Sequence, residues 1–250
     1  MPLATPAPRY RLRAYWRFYR SALTRFDVHS SFLSAWLDTV VDNDQWFYAF
    51  DDLPQWLAQK GAPLRRADRP ALSQGHLLFK IIAAAAPRNM AFCLPSNYIP
   101  LYLSQRALGA RANAVYLSQP PADPRLQQLP AVGQAASLLP DEQSLLRWLA
   151  KQGRLALLVV DAQSWDRASP DFFSQLLPFM EPDSQLIVLN NHACPSAEAR
   201  WGLWHKLPAV TQSVDLYRLG VLFFRPDWKS CRHWSFVPFS YKPWRIGLWA

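Results

Sequence analysis

Apolar positions follow two alternating patterns between residues 70 and 210. Short, continuously apolar runs near 89–94, 113–118, 155–161 and 185–190 are typical of strands buried on both faces of a sheet. Between these runs, apolar residues recur three and four positions apart, which predicts helices starting at Ser73 and near 98–108, 141–152, 170–180 and 196–206. This alternation predicts an α/β fold with a doubly wound, mainly parallel, Rossmann-like sheet.

The pattern changes after about residue 210. Three β-rich segments follow one another with no helix between them: Val214–Tyr217, Gly220–Arg225 and His233–Val237. Strands in this order predict antiparallel pairing at one edge of the sheet. The connection Gln119–Pro140 contains five prolines and predicts an irregular loop.

The first sixty residues predict a helical extension, with helices near 8–26 and 31–41 and a charged linker at 61–69. Apolar side chains of the first helix form one stripe that we expect to dock on the body of the protein: Leu12, Trp16, Tyr19, Leu23 and Phe26. The chain therefore divides into an N-terminal helical extension (1–60) and an α/β domain (61–250).

The positive charge is concentrated at the two ends of the chain. The formal net charge is +9, and residues 1–26 and 225–250 hold 11 of the 27 Lys and Arg but only one of the 18 Asp and Glu. Aromatic residues interleave with these bases. Such segments form either the solvated face of a docked helix or a weak contact for a polyanion or an anionic membrane surface.

The cysteines and the lengths of the apolar runs indicate the cellular compartment of the protein. Cys93, Cys194 and Cys231 are far apart and have no metal-ligand spacing, which predicts reduced thiols and no metal site. No apolar run is long enough to span a membrane. We therefore expect a cytoplasmic protein without a membrane span.

Several segments in a fixed order resemble a bacterial group of class I S-adenosylmethionine-dependent methyltransferase-like proteins that carry an N-terminal helical extension. They are VHSSF (28–32), WFYAFDDL (46–53), GHLLFK (75–80), VVD (159–161), LNNHA (189–193) and VDLYRLGVLFFR (214–225). The resemblance implies the class I methyltransferase sheet, with antiparallel C-terminal strands.

The resemblance also implies where a cofactor would bind, and most of those positions differ from the family pattern. An acidic residue and two glycines at the end of the first strand correspond to Phe92, Leu94 and Tyr98. A ribose-binding carboxylate at the end of the second strand corresponds to Ser118 or Gln119. Only neutral side chains remain at these positions, and Leu94 and Tyr98 would crowd the cofactor.

Two further strand ends complete the implied site. The third position keeps its acid, Asp161, whereas the Asp-Asp pair of the family corresponds to Asn190 and Asn191, followed by His192. An amide keeps the shape of a carboxylate but cannot take a proton. Asp161 and His192 form either an acid/base pair at the edge of the sheet, or a loop cap and an ordinary turn residue.

His29 precedes two serines, which on paper resembles a base beside a nucleophile. Neighbours in sequence need not face each other, and Ser30 or Ser31 is better suited to capping the following helix. No phosphate-binding, zinc-protease or serine-hydrolase motif occurs in the sequence.

Three functions follow as hypotheses. The first is a methyltransferase-fold protein with degenerate cofactor motifs, which binds no cofactor and acts as a non-catalytic binding protein for a protein partner. The second is an active S-adenosylmethionine-dependent methyltransferase with an atypical cofactor loop. The third is a polyanion- or membrane-surface-binding protein that uses its two basic ends.

Overall fold

The computed structural model describes residues 8–59, 63–108, 112–117, 136–169, 171–228 and 232–244. Within these ranges one sheet contains β1 (Asn89–Cys93), β2 (Asn113–Leu117), β3 (Ala136–Leu139), β4 (Leu155–Asp161), β5 (Met180–Leu189), β6 (Gln212–Asp215), β7 (Leu219–Phe223) and β8 (Arg232–Ser235). The helices are α1 (Pro8–Ser21), α2 (Ser31–Val40), α3 (Tyr48–Gln59), α4 (Arg69–Ala85), α5 (Tyr98–Ala107), α6 (Glu142–Gln152), α7 (Phe172–Leu176) and α8 (Pro195–Trp204).

The order of the strands confirms the predicted fold class. The sheet runs β3-β2-β1-β4-β5-β7-β6-β8. The strands from β3 to β5 are parallel, and β7 inserts antiparallel between β5 and β6. The fold is therefore a mainly parallel α/β sheet with an antiparallel C-terminal hairpin, preceded by helices.

Two predictions about the sheet edges were wrong. The segment His233–Val237 was expected to pair antiparallel, but β8 pairs in parallel with β6. β8 lies on the side of β6 that faces away from β7, and it runs in the same direction as β6. The predicted irregular loop Gln119–Pro140 contains β3, a four-residue strand beside β2. Such a short edge strand, with Leu138 exposed, carries no alternating apolar signal.

Two hydrophobic cores cover the faces of the sheet. Successive side chains of β1 point to opposite faces, so that Met90 and Phe92 join one core while Ala91 and Cys93 join the other. Helices α2 to α5 pack on the first face, and α6 to α8 supply the second. Residues before position 60 thus share a core with the sheet, while the division into two parts there stays a prediction.

The face by which α1 docks differs from the predicted stripe. Ala14, Phe18 and Ala22 are buried, whereas Leu12 and Trp16 are 60% and 56% exposed. The two alanines let the helix approach the body closely, and Phe18 packs with Val237. The prediction that Trp16 anchors this helix was therefore wrong.

The C-terminal part of the stripe fails because the helix is shorter than predicted. It ends at Ser21, so Leu23 and Phe26 no longer follow helical spacing. Leu23 pairs with Phe236 in an isolated parallel bridge, while Phe26 stays exposed. Tyr19 is half-buried and its hydroxyl donates to the Tyr241 carbonyl oxygen at 2.9 Å. The buried Lys242 donates to the Ala22 carbonyl oxygen at 2.6 Å and thereby holds the end of this segment.

Two predicted helix boundaries also moved. Ser73 was expected to cap a helix, but α4 begins at Arg69 with Pro70 in its first turn, where proline has no amide hydrogen to leave unpaired. The helix predicted over 170–180 is the short α7, after which the chain enters β5 at Met180. Among the described helices, none is long and apolar enough to cross a membrane.

Two glycines provide a matched test of this packing. A Cβ at Gly220, in β7, would lie 2.4 Å from the Trp201 ring, whereas a Cβ at Gly202, inside α8, would meet nothing within 4 Å. We expect Gly220→Ala to lower the free energy of unfolding by about 1–3 kcal/mol through overpacking. Gly202→Ala should raise it by about 0.5–1 kcal/mol through helix propensity. Urea unfolding of both variants measures this difference, and equal effects would contradict the packing of α8 on β7.

Candidate functional site

The carboxyl ends of β1, β4 and β5 meet at one edge of the sheet, around the carboxylate of Asp161. This side chain is buried at the end of β4. It accepts hydrogen bonds from the Ser96 amide at 2.9 Å, the Ser96 hydroxyl, and the Gln163 amide at 3.1 Å. Asn190 Nδ2 donates to its two oxygens at 3.0 and 3.1 Å. Both carboxylate oxygens therefore already accept hydrogen bonds from turns of the protein itself.

Asn190 extends this network to the first core. It follows β5 with φ of 58°, in the left-handed region, and its Oδ1 accepts from Gln74 Nε2 at 3.2 Å. The same Gln74 nitrogen donates to the Arg218 carbonyl oxygen at 2.6 Å. The edge of the sheet is thereby tied to α4 and to the turn between β6 and β7.

Burial raises the pKa of Asp161, and the hydrogen bonds from Ser96, Asn190 and Gln163 oppose that rise. Desolvation disfavours a buried carboxylate, and donated hydrogen bonds favour it. The surrounding donors are therefore what a charged Asp161 requires at this depth.

The turn after β1 keeps a glycine-like backbone but carries large side chains. Leu94 has φ of 55°, in the left-handed region that favours glycine, and its side chain is buried in the second core. Tyr98 is buried in the first turn of α5, and Phe92 is buried in the first core. These three family positions are thus filled with core side chains. Ser118 and Gln119 lie outside the described residues.

His192 pairs with Asp215 rather than with Asp161. Its Nε2 lies 2.7 Å from Asp215 Oδ2, whereas the described partners of Asp161 do not include it. The buried Asp215 also accepts from Asn191 Nδ2 at 2.9 Å and from the Tyr217 amide at 2.8 Å. Asp215 is not among the site residues predicted from the sequence. An acid directly after the buried Val214, in a segment that carries the family resemblance, was the available signal.

The N-terminal helix lies next to this pair. His192 Nδ1 is 3.8 Å from Glu198 Oε1, and Glu198 accepts from Arg17 at 2.9 Å and from the Tyr10 hydroxyl. Burial and the hydrogen bond to Glu198 raise the pKa of Tyr10. The Asp215 carboxylate therefore fixes the orientation of the His192 imidazole.

The serines after His29 have a structural role. Ser30 is the N-cap of α2, and its side chain accepts from the Leu33 amide at 3.4 Å. His29 itself is exposed. The capping interpretation is confirmed for Ser30, and no serine-histidine nucleophile is formed among these described residues.

Two cavities lie beside this network. A polar cavity of about 430 Å³ is bordered by Ser96, Asn190 and His192. A second cavity of about 620 Å³ has more apolar walls and shares Gln74, Tyr217 and Arg218 with the first. Among the described residues, no group of three or more His, Cys, Asp or Glu is placed to hold a metal ion.

The Asp215 cluster is expected to contribute to stability. Asp215→Ala leaves three largely buried donors without an acceptor and should lower the free energy of unfolding by about 2–4 kcal/mol. Asp166→Ala is the control, because the Asp166 side chain is 55% exposed where it pairs with Arg200, and its loss should cost about 0–1 kcal/mol. Urea unfolding at neutral pH compares the two variants. Equal losses would show that Asp215 does not hold this cluster.

Solved methyltransferase structures superpose on most of this chain. A putative O-methyltransferase from Klebsiella pneumoniae matches 78% of this chain and 97% of its own, with 13% identity and a TM-score of 0.51. An O-methyltransferase from Bacillus cereus in complex with SAH matches 82% and 99%, with 11% identity and a TM-score of 0.50. A SAH-bound methyltransferase from Podospora anserina matches 77% and 94%, with 10% identity and a TM-score of 0.53.

No protein-family model matches the sequence, and no curated protein matches it either. Identities of 10–13% show a likeness of fold. The order of the sheet, with β7 inserted antiparallel between β5 and β6, agrees with that likeness. The chain has the fold of the class I S-adenosylmethionine-dependent methyltransferases.

Proposed function

We propose that this chain is a methyltransferase-fold protein that has lost S-adenosylmethionine binding and acts in the cytoplasm as a non-catalytic binding or partner protein. One observation carries the proposal: the turn after β1 folds back onto Asp161, where the amide and hydroxyl of Ser96 bond the carboxylate. A cofactor group that bonds this acid would have to compete with the donors that already surround it, which weakens any such contact.

The side chains of the turn support the same proposal. In the family that the sequence resembles, glycines at this turn let the cofactor approach the backbone. Leu94 occupies the first of these positions with the left-handed backbone but with a buried side chain, and Tyr98 fills the second. Large buried side chains at both positions do not match the glycines of the family pattern, which supports the loss of cofactor binding.

The turn after β5 also carries two amides where the family pattern has two carboxylates. Asn190 and Asn191 already donate hydrogen bonds to Asp161 and Asp215, and an amide cannot act as a general base. The relatives of known structure include SAH-bound proteins. An active methyltransferase with an atypical cofactor loop is therefore the alternative, and cofactor titration decides between the two.

Thermal unfolding with S-adenosylmethionine and SAH tests the proposal. A ligand at 100 times its Kd stabilises a protein by about 2.7 kcal/mol, which is readily measured as a rise in Tm. We expect no rise for this chain at millimolar concentrations of either compound. The Bacillus cereus protein, whose structure contains SAH, is the positive control. A saturable rise for this chain would refute the loss of cofactor binding.

The Leu94→Gly variant tests whether the bulk of the Leu94 side chain, and not the missing polar contacts to the cofactor, prevents cofactor binding. Glycine tolerates the left-handed backbone at position 94 and removes the side chain there. Tyr98→Gly is unsuitable, because Tyr98 is fully buried and its loss would threaten folding. We expect Leu94→Gly to gain no affinity, since Ser96 still occupies Asp161. A saturable response in this variant alone would show that crowding was the main obstacle.

A second candidate function is a weak contact for polyanions, favoured by the exposed face of α1. Leu12 and Trp16 lie exposed among Arg9, Arg13 and Arg20, which have no acidic partner within the described ranges. Arg17 instead pairs with Glu198 at 2.9 Å. A helix face of this composition attracts phosphate or sulfate groups without reading a sequence.

Retention on heparin tests this candidate. We expect Arg13→Gln with Arg20→Gln to elute at clearly lower salt than the natural protein, because two of the exposed charges are removed. Arg17→Gln should change retention less, since Arg17 is already paired with Glu198. The control is Arg147→Gln with Lys151→Gln on α6, which removes the same charge from a helix of the second core. Equal elution of the two double variants would exclude α1 as the contact surface.

A further inference from the structure

We infer that the polar cavity at the carboxyl edge of the sheet binds a small organic anion that carries carboxylate or phosphate groups. This inference rests on the proposed binding function, because it names the class of ligand that the site would take. It concerns the cavity of about 430 Å³ beside Ser96, Asn190 and His192.

The charge of the walls is the first reason. Arg11 of α1 and Arg218 of the turn between β6 and β7 both border the cavity, and the described lining contains no Asp or Glu. Neither guanidinium has a carboxylate partner within the described part of the chain. Arg17, in contrast, forms an ion pair with Glu198. The carboxylates of Asp161 and Asp215 are buried behind the walls and are already bonded by lining residues, so the two arginines at the surface of the cavity favour an anionic ligand.

The two arginines also act on each other. Burial lowers the pKa of Arg218, and the nearby positive charge of Arg11 lowers it further, while Tyr217 opposes the change. A guanidinium nonetheless stays protonated in proteins, so this is a repulsion between two charges and not a loss of one. An anion placed between them would convert the repulsion into two charge-assisted hydrogen bonds.

Neutral donors line the same space. Asn97 uses its Oδ1 to cap α5 at 2.8 Å from the Ile99 amide, and its amide nitrogen has no partner among the residues described. Gln163 adds a second side-chain amide. Pro70 and Ala71 belong to the first turn of α4, so two helix N-termini border the cavity. The N-cap of α4 is the acidic Asp68, so the dipole of α5, capped by the neutral Asn97, is the one that adds positive potential at the cavity.

The position of Arg11 makes the site a link between the N-terminal helix and the sheet. Tyr217 Oη donates to the Arg11 carbonyl oxygen at 2.9 Å, and the Tyr15 ring packs edge-on against Tyr217 at 5.0 Å between centroids. One arginine therefore comes from the N-terminal helix and the other from the α/β sheet. An anion held by both would fix α1 on the sheet, which predicts that ligand binding protects α1 from proteolysis.

Isothermal titration of the full chain with citrate and with inorganic phosphate tests the site, at ionic strength held constant with sodium chloride. We expect saturable binding of at least one probe. Arg218→Gln and Arg11→Gln should each weaken that binding by about tenfold or more, because each removes a charge-assisted hydrogen bond. Trimethyl citrate keeps the body of citrate without its charges and should not bind.

Arg147→Gln is the matched control, because it removes one exposed arginine from α6 and should leave the Kd unchanged. Citrate binding alone would identify a carboxylate ligand, and phosphate binding alone a phosphorylated one. The inference is overturned if neither probe binds, or if Arg218→Gln and Arg11→Gln, with an unchanged Tm, bind as the natural protein does. A separate calorimetric titration with S-adenosylmethionine tests the proposed function. Binding of S-adenosylmethionine would refute that function, whether or not citrate or phosphate binds.

Discussion

The buried carboxylate of Asp161 is the constraint on which the carboxyl edge of the sheet depends. A charge at this depth needs donors, and the chain supplies them from three turns, through Ser96, Gln163 and Asn190. The turns after β1, β4 and β5 are therefore held in one arrangement. Asn190 passes the constraint on to Gln74, which also bonds the Arg218 carbonyl oxygen. The acid that the family resemblance places in the site therefore also holds three turns of the fold together.

A second buried carboxylate, Asp215, organises the neighbouring part of the edge. It holds Asn191, His192 and the Tyr217 amide, and Tyr217 in turn bonds α1 through its hydroxyl. The N-terminal helix is consequently part of the site and not a remote appendage. Because α1 brings Arg11 to the polar cavity, its docking also decides the electrostatic character of that cavity.

The scaffold and the site respond differently to sequence change. Structures with 10–13% identity share this fold, because buried strands and amphipathic helices need only apolar side chains at the correct spacing. A cofactor site needs particular atoms at particular places. The turn at Leu94 illustrates the difference, since its backbone keeps a left-handed conformation while its side chain has joined the core.

The sequence by itself determined the strands β1, β2, β4 and β5, the helices between them and the C-terminal hairpin, because burial on two faces imposes continuous apolar runs and helical spacing. Only the tertiary structure decided which polar groups meet. It paired His192 with Asp215, placed Ser96 on Asp161, and turned Phe18 rather than Trp16 toward the body. Periodicity indicates buried positions best where elements are enclosed on both sides, as in the strands, and it does not indicate which distant side chain a residue faces. Those choices depend on how turns far apart in the chain converge at one edge of the sheet.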